Sequence, residues 1–285
     1  MNTQKCPFER LEKILLATDR SRFSEGAIRE ALSLSRRCSS KLIAISVVKT
    51  NLEFEMNMPQ VIDQDEAEAM RHLETVRTKA LEDGIDCEII TLRGEETYQE
   101  IVSAAGKDQA DIIIMGRHGR TGLLRLMMGS VTAKVIGHAP CNILVVPPDA
   151  KVDCKQILIA TDGSKYSETA AREAIGIAKR SDNSLVAVSV ASSDIEIASA
   201  KVNVAKVEAL ATEEGIKIEG LTPTGKPYEA IVETAKQKNT DLIVLGSRGR
   251  TGLERLLMGS VAERVIGHTE TAVLVAPKQN KVVAR

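Results

Sequence analysis

The chain has no tryptophan and only six other aromatic residues among its 285. Base-stacking platforms for single-stranded nucleic acid are built from such rings, so their scarcity argues against that role. Charge of one sign is also missing. Lys and Arg number 38, Asp and Glu 39, for a formal net charge of −1. A basic footprint for nucleic acid or an anionic membrane is therefore not expected. Cysteines are few: Cys6, Cys38, Cys87, Cys141 and Cys154. Their odd number and scatter, the lack of a Cys-x-x-Cys pair and the four histidines placed away from them predict neither a disulfide framework nor a zinc site. A reducing cytosol is the expected setting. No apolar run approaches the roughly 18 residues of a transmembrane helix. The segment from Met1 to Arg10 is polar and has no signal-peptide core.

Several catalytic signatures are absent too. The Walker pattern Gly-x-x-x-x-Gly-Lys-Ser/Thr does not occur, nor do Gly-x-Ser-x-Gly and His-Glu-x-x-His.

What is present is a globular composition, 43% hydrophobic and 27% charged, in a length that suits two domains. The chain also says most things twice. Ile14-Leu15-Leu16-Ala17-Thr18-Asp19 recurs as Ile157-Leu158-Ile159-Ala160-Thr161-Asp162, and Tyr98 recurs as Tyr228. Between Gly119–His138 and Gly249–His268, 15 of 20 residues are identical. Two domains follow, 1–149 and 150–285, joined near Pro147-Pro148, where two prolines stop a strand.

Short apolar runs alternate with amphipathic ones. Strands are predicted at 13–18, 41–48, 87–92, 111–115 and 142–146, then 156–161, 184–190, 216–221, 241–245 and 272–276. Helices are predicted at 24–37, 65–82, 97–105 and 130–137, then 167–180, 198–214, 227–237 and 260–267. Strand-helix alternation implies right-handed parallel crossovers. The expected fold class is α/β, with two tandem doubly wound domains related by a pseudo-two-fold axis. Each would be a five-stranded parallel sheet in Rossmann-like or flavodoxin-like order. The first copy is longer in the middle. We expect Thr50 to Gln64 to be a loop or lid with exposed apolar residues Phe54, Met56, Met58 and Val61.

The recurring glycine segment carries the main functional signal. Met115-Gly116-Arg117-His118-Gly119, nine residues, then Gly129-Ser130-Val131 is matched by Leu245-Gly246-Ser247-Arg248-Gly249, nine residues, then Gly259-Ser260-Val261. Each follows a strand and opens a helix. Glycines let a backbone approach a phosphate closely, and a helix N-terminus offers N–H donors and a favourable dipole. Ser130 and Ser260 are expected as N-caps, and Ser260 to Glu263 has capping-box spacing. The plainer reading is a turn that only links strand to helix.

In doubly wound sheets ligands bind at strand carboxyl ends. Thr18, Asp19, Val47 and Gly116 fall there, as do Thr161, Asp162, Val190 and Gly246. Asp19 and Asp162 could accept hydrogen bonds from ribose or base, or simply form turns. Arg117, Arg120, Arg248 and Arg250 could neutralise phosphate or be solvated loop charge. His118 is Arg248 in the second copy and is expected in an exposed loop, which argues against a shared general base.

Both halves resemble the universal stress protein family, over residues 10–147 and 154–278. The residues that carry the resemblance are Gly116, Gly119, Gly129 and Ser130, and Gly246, Gly249, Gly259 and Ser260. Their spacing is similar to that of the family's ATP-binding branch. The resemblance implies ATP or AMP as ligand, with or without Mg, and one site per domain. It places the adenosine end on Thr18, Asp19 and Val47, and on Thr161, Asp162 and Val190. Arg20, where the second copy has Gly163, departs from the family's small residue. A cytoplasmic regulatory nucleotide binder with little hydrolysis is the implied role. The rival is a slow ATPase or phosphoryl-transfer enzyme. The resemblance also implies that Asn142–Val146 and Ala272–Ala276 pair antiparallel, as an internal pseudo-dimer with scope for a further homodimer.

Overall fold

A computed structural model describes residues 5–119, 128–250 and 258–277. The first half runs β1 (Lys13–Ala17), α1 (Glu25–Cys38), β2 (Lys41–Lys49), α2 (Leu52–Asn57), α3 (Pro59–Glu82), β3 (Cys87–Gly94), α4 (Thr97–Lys107), β4 (Ile112–Gly116), α5 (Ser130–His138) and β5 (Asn142–Val146). The second half runs β6 (Gln156–Ala160), α6 (Lys165–Ser181), β7 (Ser184–Val188), α7 (Ile197–Glu213), β8 (Ile218–Leu221), α8 (Pro227–Gln237), β9 (Leu242–Gly246), α9 (Ser260–His268) and β10 (Ala272–Ala276).

The strands form one ten-stranded sheet in the order β3-β2-β1-β4-β5-β10-β9-β6-β7-β8. Within each half every pairing is parallel, in the 3-2-1-4-5 order of a Rossmann-type sheet. The halves meet where β5 and β10 run antiparallel, with Leu144 opposite Leu274 and Val145 opposite Val273. Each strand covers what would otherwise be an exposed edge of the other half. The central strands are apolar on both faces because helices cover both. Ile14 and Leu16 point into one core with α1 and α3, and Leu15 and Ala17 into the other. Both cores continue through the second half, so the two halves share their hydrophobic layers.

Two expectations need correction. Thr50–Gln64 is not a loop. Asn51 caps α2 by accepting the Phe54 N–H at 2.8 Å, and Pro59 starts α3, a position where its missing N–H costs nothing. The extra length of the first copy is therefore α2 plus about two turns of α3. Leu52, Phe54, Met56, Met58 and Val61 are exposed on it. The second correction concerns cysteine. Cys6 and Cys38 form a disulfide, with Cα atoms 4.6 Å apart. The segment before β1 folds back across the end of α1, burying Phe8 and Leu11, and this long-range return brings the two thiols together. Cys87, Cys141 and Cys154 are free. Burial pushes the Cys141 and Cys154 thiols up to about 12.

Candidate functional site

In the second half, the carboxyl ends of β6, β7 and β9 open into a cavity of about 300 Å³. Thr161, Asp162, Val190, Leu245, Gly246, Arg248, Gly249, Gly259, Ser260 and Val261, all singled out in the sequence, line it. Ser192, Glu196, Pro227 and Ile231 line it as well and carried no sequence signal.

The local wiring explains why the loop sits where it does. The Asp162 carboxylate accepts the Ser164 N–H at 3.0 Å through one oxygen and the Arg250 N–H at 2.7 Å through the other. It is thus both the turn-forming residue and the anchor of the glycine loop. A carboxylate has about four lone-pair sites, so acceptor capacity remains toward the cavity. Gly259 N–H donates to Ser247 O at 2.9 Å and closes the loop onto the start of α9.

The three glycines of this motif have different reasons to be glycine. A Cβ on Gly246 would lie 2.7 Å from the Tyr166 carbonyl carbon. One on Gly249 would lie 2.7 Å from the Asp162 carboxylate. Both are packing reasons. Gly259 has none of this kind: its nearest neighbour would be Arg248 Cα at 3.4 Å, and its φ of −72° suits any residue. Among the described residues, neither crowding nor backbone strain demands glycine there. A group from outside the protein that comes close to that backbone would.

The expected serine caps are corrected. Gly129 and Gly259 occupy the N-cap positions, and Ser130 and Ser260 are the first helical residues, with no side-chain cap and no capping box. The first-turn N–H groups of α9 therefore have no intrahelical partner and no serine oxygen in front of them. That leaves the helix end available to an anion.

The first half builds the same site more tightly. Thr18, Asp19, Val47, Met115, His118, Gly119 and Val131 line a cavity of about 100 Å³. A Cβ on Gly116 would lie 2.6 Å from Phe23 O, Gly129 N–H donates to Arg117 O at 3.0 Å, and Asp19 accepts the Ser21 N–H at 3.1 Å. His118 is not exposed, as expected from the sequence, but 7% accessible, and its ring meets Phe23 edge-on at 5.8 Å. Arg117 is also buried, at 6%, and points away from the cavity into the second half. It is not solvated charge: its guanidinium is held by Thr269 O, Gly267 O and the Glu270 carboxylate. Arg248 is half-buried at the second cavity, Arg250 is exposed, and Arg120 lies outside the described residues.

Arg20 and His72 lie behind the wall of the first cavity, His72 against its lining residue Thr18. Arg20 has φ 69°, the same left-handed turn that Gly163 makes at φ 78°. Its guanidinium is held by Asp65 at 2.5 Å and Glu68 at 3.3 Å, both on α3. His72, also on α3, contacts Thr18 Oγ1 through Nε2 at 2.9 Å. Burial, and then the nearby Arg20 charge, lower the His72 pKa from 6.5.

The model of the universal stress protein family matches residues 10–147 and 154–277. A universal stress protein of Methanocaldococcus jannaschii is 42% identical over 143 residues, which is 45% of this chain and 84% of that protein. One of Synechocystis is 28% identical over 149 residues, 47% of this chain and 96% of that protein. A solved universal stress protein from Archaeoglobus fulgidus aligns at a TM-score of 0.79 and 23% identity, covering 95% of this chain and 98% of its own. At that identity the likeness speaks for the fold.

Proposed function

Since the chain belongs to the universal stress protein family, we propose that it is a regulatory adenine-nucleotide binder with one site in each half. The observation that carries this reading is Gly259. Among the described residues nothing requires a glycine there, at the N-terminus of α9 and on the wall of the larger cavity. Phosphates would lie against the Gly246–Gly249 loop and the first N–H groups of α9. The adenosine end would lie toward Thr161, Asp162 and Val190, and in the first half toward Thr18, Asp19 and Val47. Among the described residues, no group of three His, Cys, Asp or Glu side chains is arranged to hold a metal. In this reading Mg is the companion of the phosphates rather than a guest of the protein.

Binding and turnover make different demands. Hydrolysis needs a positioned water and stabilisation of charge that develops only in the transition state. His118 and Arg248, at equivalent loop positions, differ in chemistry, and His118 is committed to Phe23 and Arg117. Little or no hydrolysis is therefore expected.

Mass spectrometry of gently denatured protein would identify a co-purifying nucleotide, and calorimetry with ATP and AMP would count sites. A chain that binds neither would remove this reading. Turnover at about 1 per second or faster, within the ordinary enzyme range, would replace it with an enzymatic one.

A further inference from the structure

The two glycine loops are alike in sequence but touch different things. Arg117 belongs to the first loop, where its carbonyl accepts the Gly129 N–H. Its side chain crosses to the other half. Nη1 donates to Thr269 O at 2.6 Å and to Gly267 O at 3.4 Å, and Nη2 to the Glu270 carboxylate at 3.3 Å. Nε donates to His118 Nε2 at 3.1 Å. The guanidinium thus occupies the C-terminus of α9, where carbonyls lack intrahelical partners and the dipole is negative.

The other end of α9 is Gly259-Ser260, on the wall of the second cavity. The helix has nine residues, so it spans about 13 Å. One short rigid element has the second site at its N-terminus and a side chain from the first site's loop at its C-terminus. The link does not run the other way. The counterpart of Arg117 is Ser247, and among the described residues no side chain of the second half bonds the last carbonyls of α5.

We propose that Arg117 is a positioning residue that couples the two sites. The proposal rests on the nucleotide reading above. Phosphate on the first loop fixes the backbone around Arg117. The buried guanidinium must follow that backbone, because leaving its carbonyl partners unpaired is costly. The C-terminus of α9 moves with it, and the second site changes its affinity. Linkage makes the effect reciprocal.

The test is ATP calorimetry on the full chain. Asp19→Ala leaves the second site to be read alone, and Asp162→Ala the first. With coupling, the wild-type isotherm departs from the sum of these two, and second-site Kd changes about fivefold or more when the first site fills. In Arg117→Ser, which installs the second copy's residue, the isotherm returns to the sum. Arg117→Lys, which keeps a charged donor, restores part of the departure. It also carries the comparison if the serine variant does not fold. Hydrogen exchange at residues 265–271 gives a second readout. ATP should change it in Asp162→Ala and not in the Asp162→Ala/Arg117→Ser double variant, a difference that a purely structural arginine would not produce. Additive wild-type binding at two sites overturns the coupling and leaves the nucleotide reading intact. No ATP binding in any variant overturns both.

Discussion

Asn203 on α7 leaves no room for a side chain at Gly163: a Cβ there would lie 2.3 Å from Asn203 Oδ1. In the first half the equivalent positions hold His72 and Arg20, and the turn keeps its left-handed form with a side chain present. Room exists because His72 turns instead to Thr18. The two differences between the copies are thus one structural exchange, beside a first cavity of about 100 Å³ against about 300 Å³ in the second half.

Arg20→Gly, which installs the second copy's glycine at this left-handed turn, should tighten ATP binding at the first site by several-fold. Stability should fall. Removing left-handed strain gains about 1 kcal/mol, but the Arg20 side chain is only 12% exposed, and leaving Asp65 without it costs more than a surface pair would. Calorimetry in an Asp162→Ala background isolates the effect. An unchanged or weaker first site would show that Arg20 does not hinder binding there.

His72 gives the first half a pH dependence. Its folded pKa is depressed, by burial first and by Arg20 next, with Asp19 opposing. The unfolded chain therefore takes up the proton more readily. Its contribution is present above the unfolded value of 6.5 and is lost as pH falls through the lower folded value. Urea midpoints should fall from about pH 7 to about pH 5.5, and His72→Asn should flatten part of that slope. A slope identical in the variant would assign the acid loss to other groups.

The motif glycines should separate by mechanism. Gly246→Ala forces a Cβ into the backbone of Tyr166 and Ser167, a cost of about 1–3 kcal/mol. Gly259→Val meets no such obstacle and should cost only about 1 kcal/mol through the poorer cap. It should nonetheless weaken second-site ATP binding about tenfold or more. Thermal melts paired with calorimetry check this. A folded Gly259→Val protein with wild-type affinity would take the glycine loop out of binding.

The sequence made the repeat and the strand ends legible, because each is written in contiguous apolar runs and fixed spacings, whereas the pairing of Ile143–Val145 with Val273–Val275 was implied by the family resemblance. What it hid was long-range or positional by a single residue. Ser130 and Ser260 are one place too far along to cap, which the Gly-Ser dipeptide alone does not reveal. Arg117 and His118 sit in a polar loop, and long-range contacts bury them, among them Arg117 with Thr269 and His118 with Phe23. Leu52–Asn57 buries no residue, so no apolar stripe marked it as helical. The pairing of Cys6 with Cys38 depends on a chain return that spacing does not encode.

That disulfide predicts a measurable loss. Closing a loop across a separation of 32 residues stabilises by about 3–4 kcal/mol in the chain-entropy account. Cys6→Ser should lower stability by up to that amount, and a reductant should mimic it in the wild type while leaving the variant unaffected. Equal reductant sensitivity in both would point to other thiols.

The antiparallel seam between β5 and β10 joins two halves of a single chain. Two separate copies meeting at such a seam would come apart on dilution, and any substitution in one would appear in the other. A fused pair escapes both constraints. Its partner is always at hand, and each half is free to acquire residues the other lacks. Arg20, His72 and Arg117 are found on one side only, an inequality that two identical subunits could not write into their sequence.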